Sequence, residues 1–180
     1  AWSPDGAWIL ANRGAKLLAI HLPAMTEQVL LELPSPPAAW LPRVSPDWKW
    51  LAWTPHGTTV KLTELATGRE QTEWSVENAA PAFSPDGFRM ALPQHEGLFL
   101  VDLSSGVRHA TKIAAEGSVA WSPDSTMIAV RRGNEVRIHD ARSGALHQSF
   151  GGHRGPVCSL AWAPDARTLA VGCEDSTIHF

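Results

Sequence analysis

Tyrosine is missing from the 180 residues, cysteine occurs only twice, and neither sign of charge dominates. Two cysteines, Cys158 and Cys173, cannot build a disulfide-stapled scaffold, and neither belongs to a CxxC pair or has a partner histidine at a recognisable spacing. No metal centre is therefore expected, and both read as buried thiols. In a hairpin that pairs Trp162 with Arg167, Cys158 would face Val171 and Cys173 would lie a diagonal step away, too oblique for an easy disulfide. Free thiols favour a reducing compartment, with the cytoplasm as the expected location. The net charge of −3 leaves no basic footprint for nucleic acid. Apolar runs are short as well: Lys16 to Met25 is interrupted by His21 and Pro23, so no segment is suited to span a bilayer and no membrane partner is expected. No signal peptide is visible. A GxSxG elbow, an HExxH pair and a glycine-rich phosphate loop are all absent, so no catalytic residue and no cofactor are assigned.

Repetition is what the sequence has instead. AWSPDG (Ala1 to Gly6), RVSPDW (Arg43 to Trp48), AFSPDG (Ala82 to Gly87), AWSPDS (Ala120 to Ser125) and AWAPDA (Ala161 to Ala166) are versions of one hexapeptide, their prolines 42, 39, 38 and 41 residues apart. Proline presets φ for the first turn position, aspartate bonds nearby backbone N–H groups, and glycine takes a left-handed conformation without a Cβ clash. Each copy therefore closes a hairpin. Trp48, Ser125 and Ala166 replace the glycine at a cost of order 1 kcal/mol each if the geometry is kept, so glycine at 125 and 166 should stabilise. Short alternating or apolar runs flank these turns, small-residue turns recur at Ala66-Thr67-Gly68, Ser104-Ser105-Gly106 and Arg142-Ser143-Gly144, and helical periodicity is absent. The fold class is all-β, and a period near 40 residues with several strands per unit predicts a β-propeller of four-stranded antiparallel blades. The blades fall at approximately 1–37, whose first strand is nearly absent, then 38–76, 77–114, 115–152, and 153–180, which lacks its outer strand. That is an incomplete ring of about 4.5 blades, and further blades of the same parent chain are its expected neighbours.

The final stretch is the sharpest copy. Gly152-His153, VCSLAWAPD, LAVGCED and STIHF resemble a WD40 repeat, whose blades run from a Gly-His dipeptide to a Trp-Asp dipeptide; such propellers in bacteria are often attached to catalytic domains. Upstream, His139-Asp140, Val101-Asp102, Thr63-Glu64 and His21-Leu22 stand at the place of that Trp-Asp. The resemblance implies structural roles for Asp102 and Asp140, and a buried hydrogen-bonded set to which His153 and Asp175 belong, with Val171 where a hydroxyl residue would stand. His139, at the place of the family's tryptophan, is read as a strand residue that bonds locally. Nine tryptophans include Trp2, Trp40, Trp121 and Trp162 at or near the end of a first strand, where large aromatics serve packing between blades. The proline-rich stretch Leu33 to Pro42 is a loop between blades.

Function is expected on the surface. In similar propellers, loops joining second to third strands and fourth to the next first strand gather on one face. That face carries Arg13, His56, His95, Glu96, Arg131, Arg132, His153, Arg154 and Glu174 as candidate partner-binding residues. The resemblance implies a protein-interaction scaffold that presents loops to a protein or peptide. The alternative is a sensor or regulatory propeller attached to a catalytic domain such as a bacterial serine/threonine kinase or a TolB/peptidase-type protein. Gly152-His153, Asp140 and Asp102 favour WD repeats over the TolB type.

Overall fold

The structure, a computed structural model, describes residues 2–32, 42–54, 59–75, 80–94, 97–117 and 119–180. The chain divides into two compact units, Ala1–Glu77 and Asn78–Phe180. In the first unit, β1 (Trp8–Arg13), β2 (Lys16–His21) and β3 (Thr26–Glu32) make a three-stranded antiparallel sheet, with a lone bridge from Trp2 to Ile9 standing in for a further strand. Its second sheet is β4 (Arg43–Val44), β5 (Trp50–Trp53), β6 (Thr59–Glu64) and β7 (Glu70–Ser75). The second unit holds two four-stranded sheets. These are β8 (Ala82–Phe83), β9 (Arg89–Gln94), β10 (Gly97–Asp102) and β11 (Arg108–Ala110), then β12 (Val119–Trp121), β13 (Met127–Arg132), β14 (Glu135–Asp140) and β15 (Leu146–Phe150). A three-stranded sheet of β16 (Val157–Trp162), β17 (Leu169–Cys173) and β18 (Ile178–His179) follows. Every sheet is an antiparallel meander, the build of a propeller blade, and the described residues contain no helix.

The repeated hexapeptide makes the tight turn between first and second strands. In the first copy Gly6 N–H donates to Ser3 C=O at 3.0 Å and Ser3 N–H to Trp8 C=O at 2.9 Å. Ser3 Oγ accepts the Trp8 N–H at 2.8 Å and donates to Asp5, whose Oδ1 takes the Ala7 N–H at 3.0 Å. The same Ser-to-Asp bond recurs at Ser45, Ser84 and Ser122, and all four serines are buried. The serine is thus as much a part of the turn as the Pro-Asp that follows it, since a buried hydroxyl needs both its donor and its acceptor bonds made. In the last copy Ala163 stands at the serine's place, and the backbone bonds remain together with the Asp165 cap, whose Oδ1 accepts the Arg167 N–H at 2.9 Å. The sixth position is left-handed in all five: φ is 69° at Gly6, 57° at Trp48, 76° at Gly87, 61° at Ser125 and 57° at Ala166.

Burial follows position within the blade. β13 carries a continuous buried run, because its sheet is covered on both faces by its neighbours within the second unit. Outer strands β11 and β15 are exposed along their whole length. The cores lie between successive sheets inside each unit. Leu10 and Leu17 pack with Leu51 and Trp53; Ala91 and Leu98 with Trp121, Ile128 and Val130; and Ala129, Val136 and Ile138 with Val157, Val171 and Cys173.

Tryptophan side chains stitch the stack by polar bonds as well as by area. Trp121 Nε1–H donates to Ala82 C=O at 2.9 Å and Trp162 Nε1–H to Ala120 C=O at 3.2 Å, each bond spanning one repeat. In the second blade Val44 occupies that strand position, and the indole has moved to the turn. Trp48 reaches back from its left-handed site to donate to Trp2 C=O at 2.9 Å. Trp2 itself is 63% exposed, which corrects the expectation that it packs between blades: only a single bridge holds that segment to the sheet. Trp40 and the proline-rich stretch 33–41 lie outside the described residues.

The last hairpin differs from its expected register. Trp162 pairs with Leu169, Leu160 with Val171 and Val157 with Cys173, with a bulge at Cys158. The four-residue connection demanded by the Ala163 to Thr168 bond is longer than a turn that pairs Trp162 with Arg167 would allow. The bulge turns Cys158 outward. It is an exposed free thiol whose Sγ donates to Gly172 C=O at 3.2 Å, not a buried one, whereas Cys173 is buried.

Candidate functional site

In the second unit, three loops meet at one edge of the sheets. They are residues 111–117 before β12, residues 133–134 between β13 and β14, and residues 151–156 before β16. The backbone joins them: Glu116 N–H donates to Arg131 C=O at 3.0 Å and Val157 N–H to Gly133 C=O at 3.3 Å. Side chains complete the join. Glu116 Oε2 accepts the Gly133 N–H at 3.0 Å, and Asn134 Nδ2 donates to His153 C=O at 3.4 Å.

Arg131 is the fastener. Its Nε donates to Glu116 C=O, and its Nη1 donates to Val157 C=O at 2.6 Å, so one guanidinium ties the segment before β12 to the start of β16. Gly117, at φ 79°, lies beneath it, and a Cβ there would come within 2.9 Å of Nη2. A fork of five donors suits this bridging of separated carbonyls, which a lysine could not reproduce. Arg131, expected as a partner-binding residue, thus has Nε and Nη1 engaged within the fold, while its neighbour Arg132 is exposed. Arg89 plays a comparable part on the opposite turns. It donates to Ala141 C=O and Ser125 C=O, each at 3.1 Å, with its guanidinium carbon 4.9 Å from the centre of the Trp121 ring. Nothing in the repeat pattern marks either arginine, because each acts between blades and has no counterpart at that position in every copy.

The other candidates fall as follows. Arg13, in the first unit, makes a two-pronged ion pair with Glu27, at 3.0 and 2.7 Å, which lowers the glutamate's proton affinity and raises the arginine's. Arg154 is exposed beside the last blade; the Thr177 hydroxyl is the main cause that lowers the Asp175 carboxyl, and the Arg154 charge adds to it. Glu174 is exposed in the turn between β17 and β18, its N–H bonded to Pro156 C=O at 3.0 Å. Within the second unit the structure therefore brings Arg132, His153, Arg154 and Glu174 to connected loops. His56, His95 and Glu96 lie outside the described residues.

The aspartates of the third-to-fourth-strand turns cap those turns. Asp102 Oδ1 accepts the hydroxyls of Ser104 and Ser105 at 2.6 and 2.9 Å and their N–H groups at 3.0 and 2.9 Å. The Ser104 hydroxyl contributes most to holding this carboxyl down at about 2. Asp140 does the same with Arg142 and Ser143, and its carboxyl is lowered mainly by the Ser143 hydroxyl. His139 sits buried beside this turn, with Nδ1 3.0 Å from Gly144 C=O, a contact that assigns the proton to Nδ1.

At His153 the structure departs from the set implied by the resemblance. No hydrogen bond joins His153 to Asp175, whose Oδ1 instead takes the Thr177 hydroxyl at 2.5 Å and the Thr177 N–H at 3.0 Å. The polar atom beside the ring is not supplied at position 171. Cys173 Sγ is within 4.8 Å of a ring nitrogen of His153, together with a ring nitrogen of His179. In the observed register Val171, Cys173, Thr177 and His179 share one face of the sheet, which the sequence alone, with its different register, could not place.

Comparison with known proteins agrees with the repeat. Residues 144–180 match the family described as WD domain, G-beta repeat. Intraflagellar transport protein 122 homolog of Xenopus tropicalis is 33% identical over 60 residues, 33% of this chain and 5% of that protein. Coronin-7 of Mus musculus is 41% identical over 44 residues, 24% of this chain and 5% of that protein. WD repeat-containing protein SL1-17 of Schistosoma mansoni is 29% identical over 126 residues, 67% of this chain and 40% of that protein. The chain thus matches only a small part of the length of the intraflagellar transport and coronin relatives. A last blade that matches the repeat itself is thus preceded by four sheets of the same meander order and the same Ser-Pro-Asp turn, which makes the chain similar to WD40-repeat β-propellers.

Proposed function

We propose that the chain is a protein-interaction scaffold without catalysis of its own, and that the loop edge of the second unit binds a protein or peptide with an acidic segment. The observation that carries this reading is the bonding of three loops through Arg131, which holds the exposed side chains above them in a fixed arrangement before any partner arrives. A surface ordered in advance loses less conformational entropy on binding than mobile loops do. Arg132 and Arg154 supply cations that the fold leaves exposed, and paired arginines suit carboxylates through two-pronged hydrogen bonds. Glu174, beside them, favours a mixed contact over a purely acidic ligand.

The test is capture from an extract, with recovered proteins identified and then measured one by one against purified chain. Arg132→Glu combined with Arg154→Glu should weaken the true partner by about tenfold or more, since each reversal replaces attraction by repulsion. Lys49→Glu, an exposed change in the first unit, should leave capture unchanged. Equal affinity for wild type and the double variant would overturn the assignment.

A further inference from the structure

We propose that His153, Cys173 and His179 form a binding site for Zn²⁺. One ring nitrogen of each histidine and the Cys173 sulfur lie within 4.8 Å of one another. Two imidazoles and one thiolate are a donor set that zinc favours, and tetrahedral zinc at its usual bond lengths sets neighbouring ligand atoms roughly 3.5 Å apart.

Two further observations point to a ligand. His153 Nε2 is buried and has no hydrogen-bond partner among the described residues, an arrangement that leaves a polar atom dehydrated with nothing in return. His179 is held in one tautomer by its neighbours. The Thr177 hydroxyl gives its proton to Asp175, so its oxygen accepts from His179 Nε2–H at 3.0 Å, which leaves the lone pair of that ring on Nδ1. A carboxylate that orients a histidine through a second group is the outer shell that metal-binding imidazoles commonly have. The two rings meet edge-on, with centroids 4.8 Å apart at 71°, so they are adjacent without stacking.

Access is also provided. Both histidines line a groove of about 650 Å³ bounded by Phe150, Trp162 and Phe180, and Cys173, 6% exposed, is buried behind them. The fourth position opens to that groove and takes a water molecule. On binding, the Cys173 S–H bond breaks, its proton leaves to solvent, and the sulfur's electron pair forms the S–Zn bond, with no change of oxidation state.

The experiment uses the reduced, metal-free chain titrated with Co²⁺ alone as a spectroscopic substitute for Zn²⁺, followed by displacement with Zn²⁺. The expected result is one Co²⁺ per chain with a thiolate-to-cobalt charge-transfer band that Zn²⁺ abolishes. Cys173→Ser should lose the band, and Cys158→Ser, at the exposed thiol, should keep it. His179→Ala removes an exposed side chain and is expected to fold; it should weaken binding by at least about tenfold. Melting curves show whether Cys173→Ser retains the fold; if it does not, the His179 and Cys158 variants decide. No charge-transfer band in the wild type would overturn the proposal, as would a band lost in Cys158→Ser or unchanged affinity in His179→Ala. Partner capture by the loop edge does not enter either outcome.

Discussion

Replacing Ala166 and Ser125 by glycine separates the conformational cost of a left-handed residue from the contacts its side chain makes. Both positions end the same turn, at φ of 57° and 61°. An L-residue there carries a penalty of about 1 to 2 kcal/mol, against which glycine returns roughly 0.4 to 1 kcal/mol of extra freedom in the unfolded chain. The balance at residue 166 favours glycine by about 0.5 to 1 kcal/mol, because no hydrogen bond depends on its methyl group. At residue 125 the sign reverses. Ser125 is 4% exposed, and its Oγ accepts the N–H of Asp86 at 3.0 Å, a bond from the turn of one blade to the turn of the previous one. Removing it strands a partly buried donor at about 1 to 3 kcal/mol, more than the relief of strain supplies. Urea unfolding of the wild type and the two single variants gives the comparison directly. The midpoint should rise for Ala166→Gly and fall for Ser125→Gly, with slopes unchanged. Equal stabilisation by both would show that the inter-blade bond contributes nothing, and a fall for Ala166→Gly would refute the left-handed accounting.

Three other outcomes follow from the same bonds. Ala163→Ser should restore the hydroxyl that the first four turns use, and raise the midpoint by about 0.5 to 1.5 kcal/mol in thermal or urea melts; an unchanged midpoint would mean that the last turn cannot seat it. Arg131→Met should destabilise by roughly 2 to 4 kcal/mol through its two stranded carbonyls, whereas Arg132→Met should change stability by less than about 0.5 kcal/mol, and similar losses for both would contradict the bridging role. Asp102, held at about 2 in the folded chain, lies below its unfolded value of about 3.9. Its stabilisation is therefore complete above about pH 4 and disappears as pH falls through about 2, so the stability gap between wild type and Asp102→Asn should close across that interval and not at neutral pH.

What the sequence by itself determined is whatever is local and repeated. Pro-Asp with a left-handed sixth residue closes the hairpins, short apolar runs become strands, and a period near 40 residues stacks them as blades, because these effects act within a few residues and recur in every copy. Even the exceptions were legible there: Trp48, Ser125 and Ala166 keep the geometry of the glycine they replace. Tertiary structure alone decided the functions of single side chains that act between copies. Arg131 looked like a free loop cation, yet its Nε and Nη1 are engaged by carbonyls of two other segments. Ser125 looked like a strained substitute for glycine, yet its hydroxyl holds the preceding turn. A four-residue turn shifted the register of the last hairpin, a bulge at Cys158 exposed that thiol, and the folded sheet sets Cys173 beside His153 and His179. One residue of register moves a side chain to the other face of a strand, and that shift depends on packing against the neighbouring blade, which no local pattern encodes.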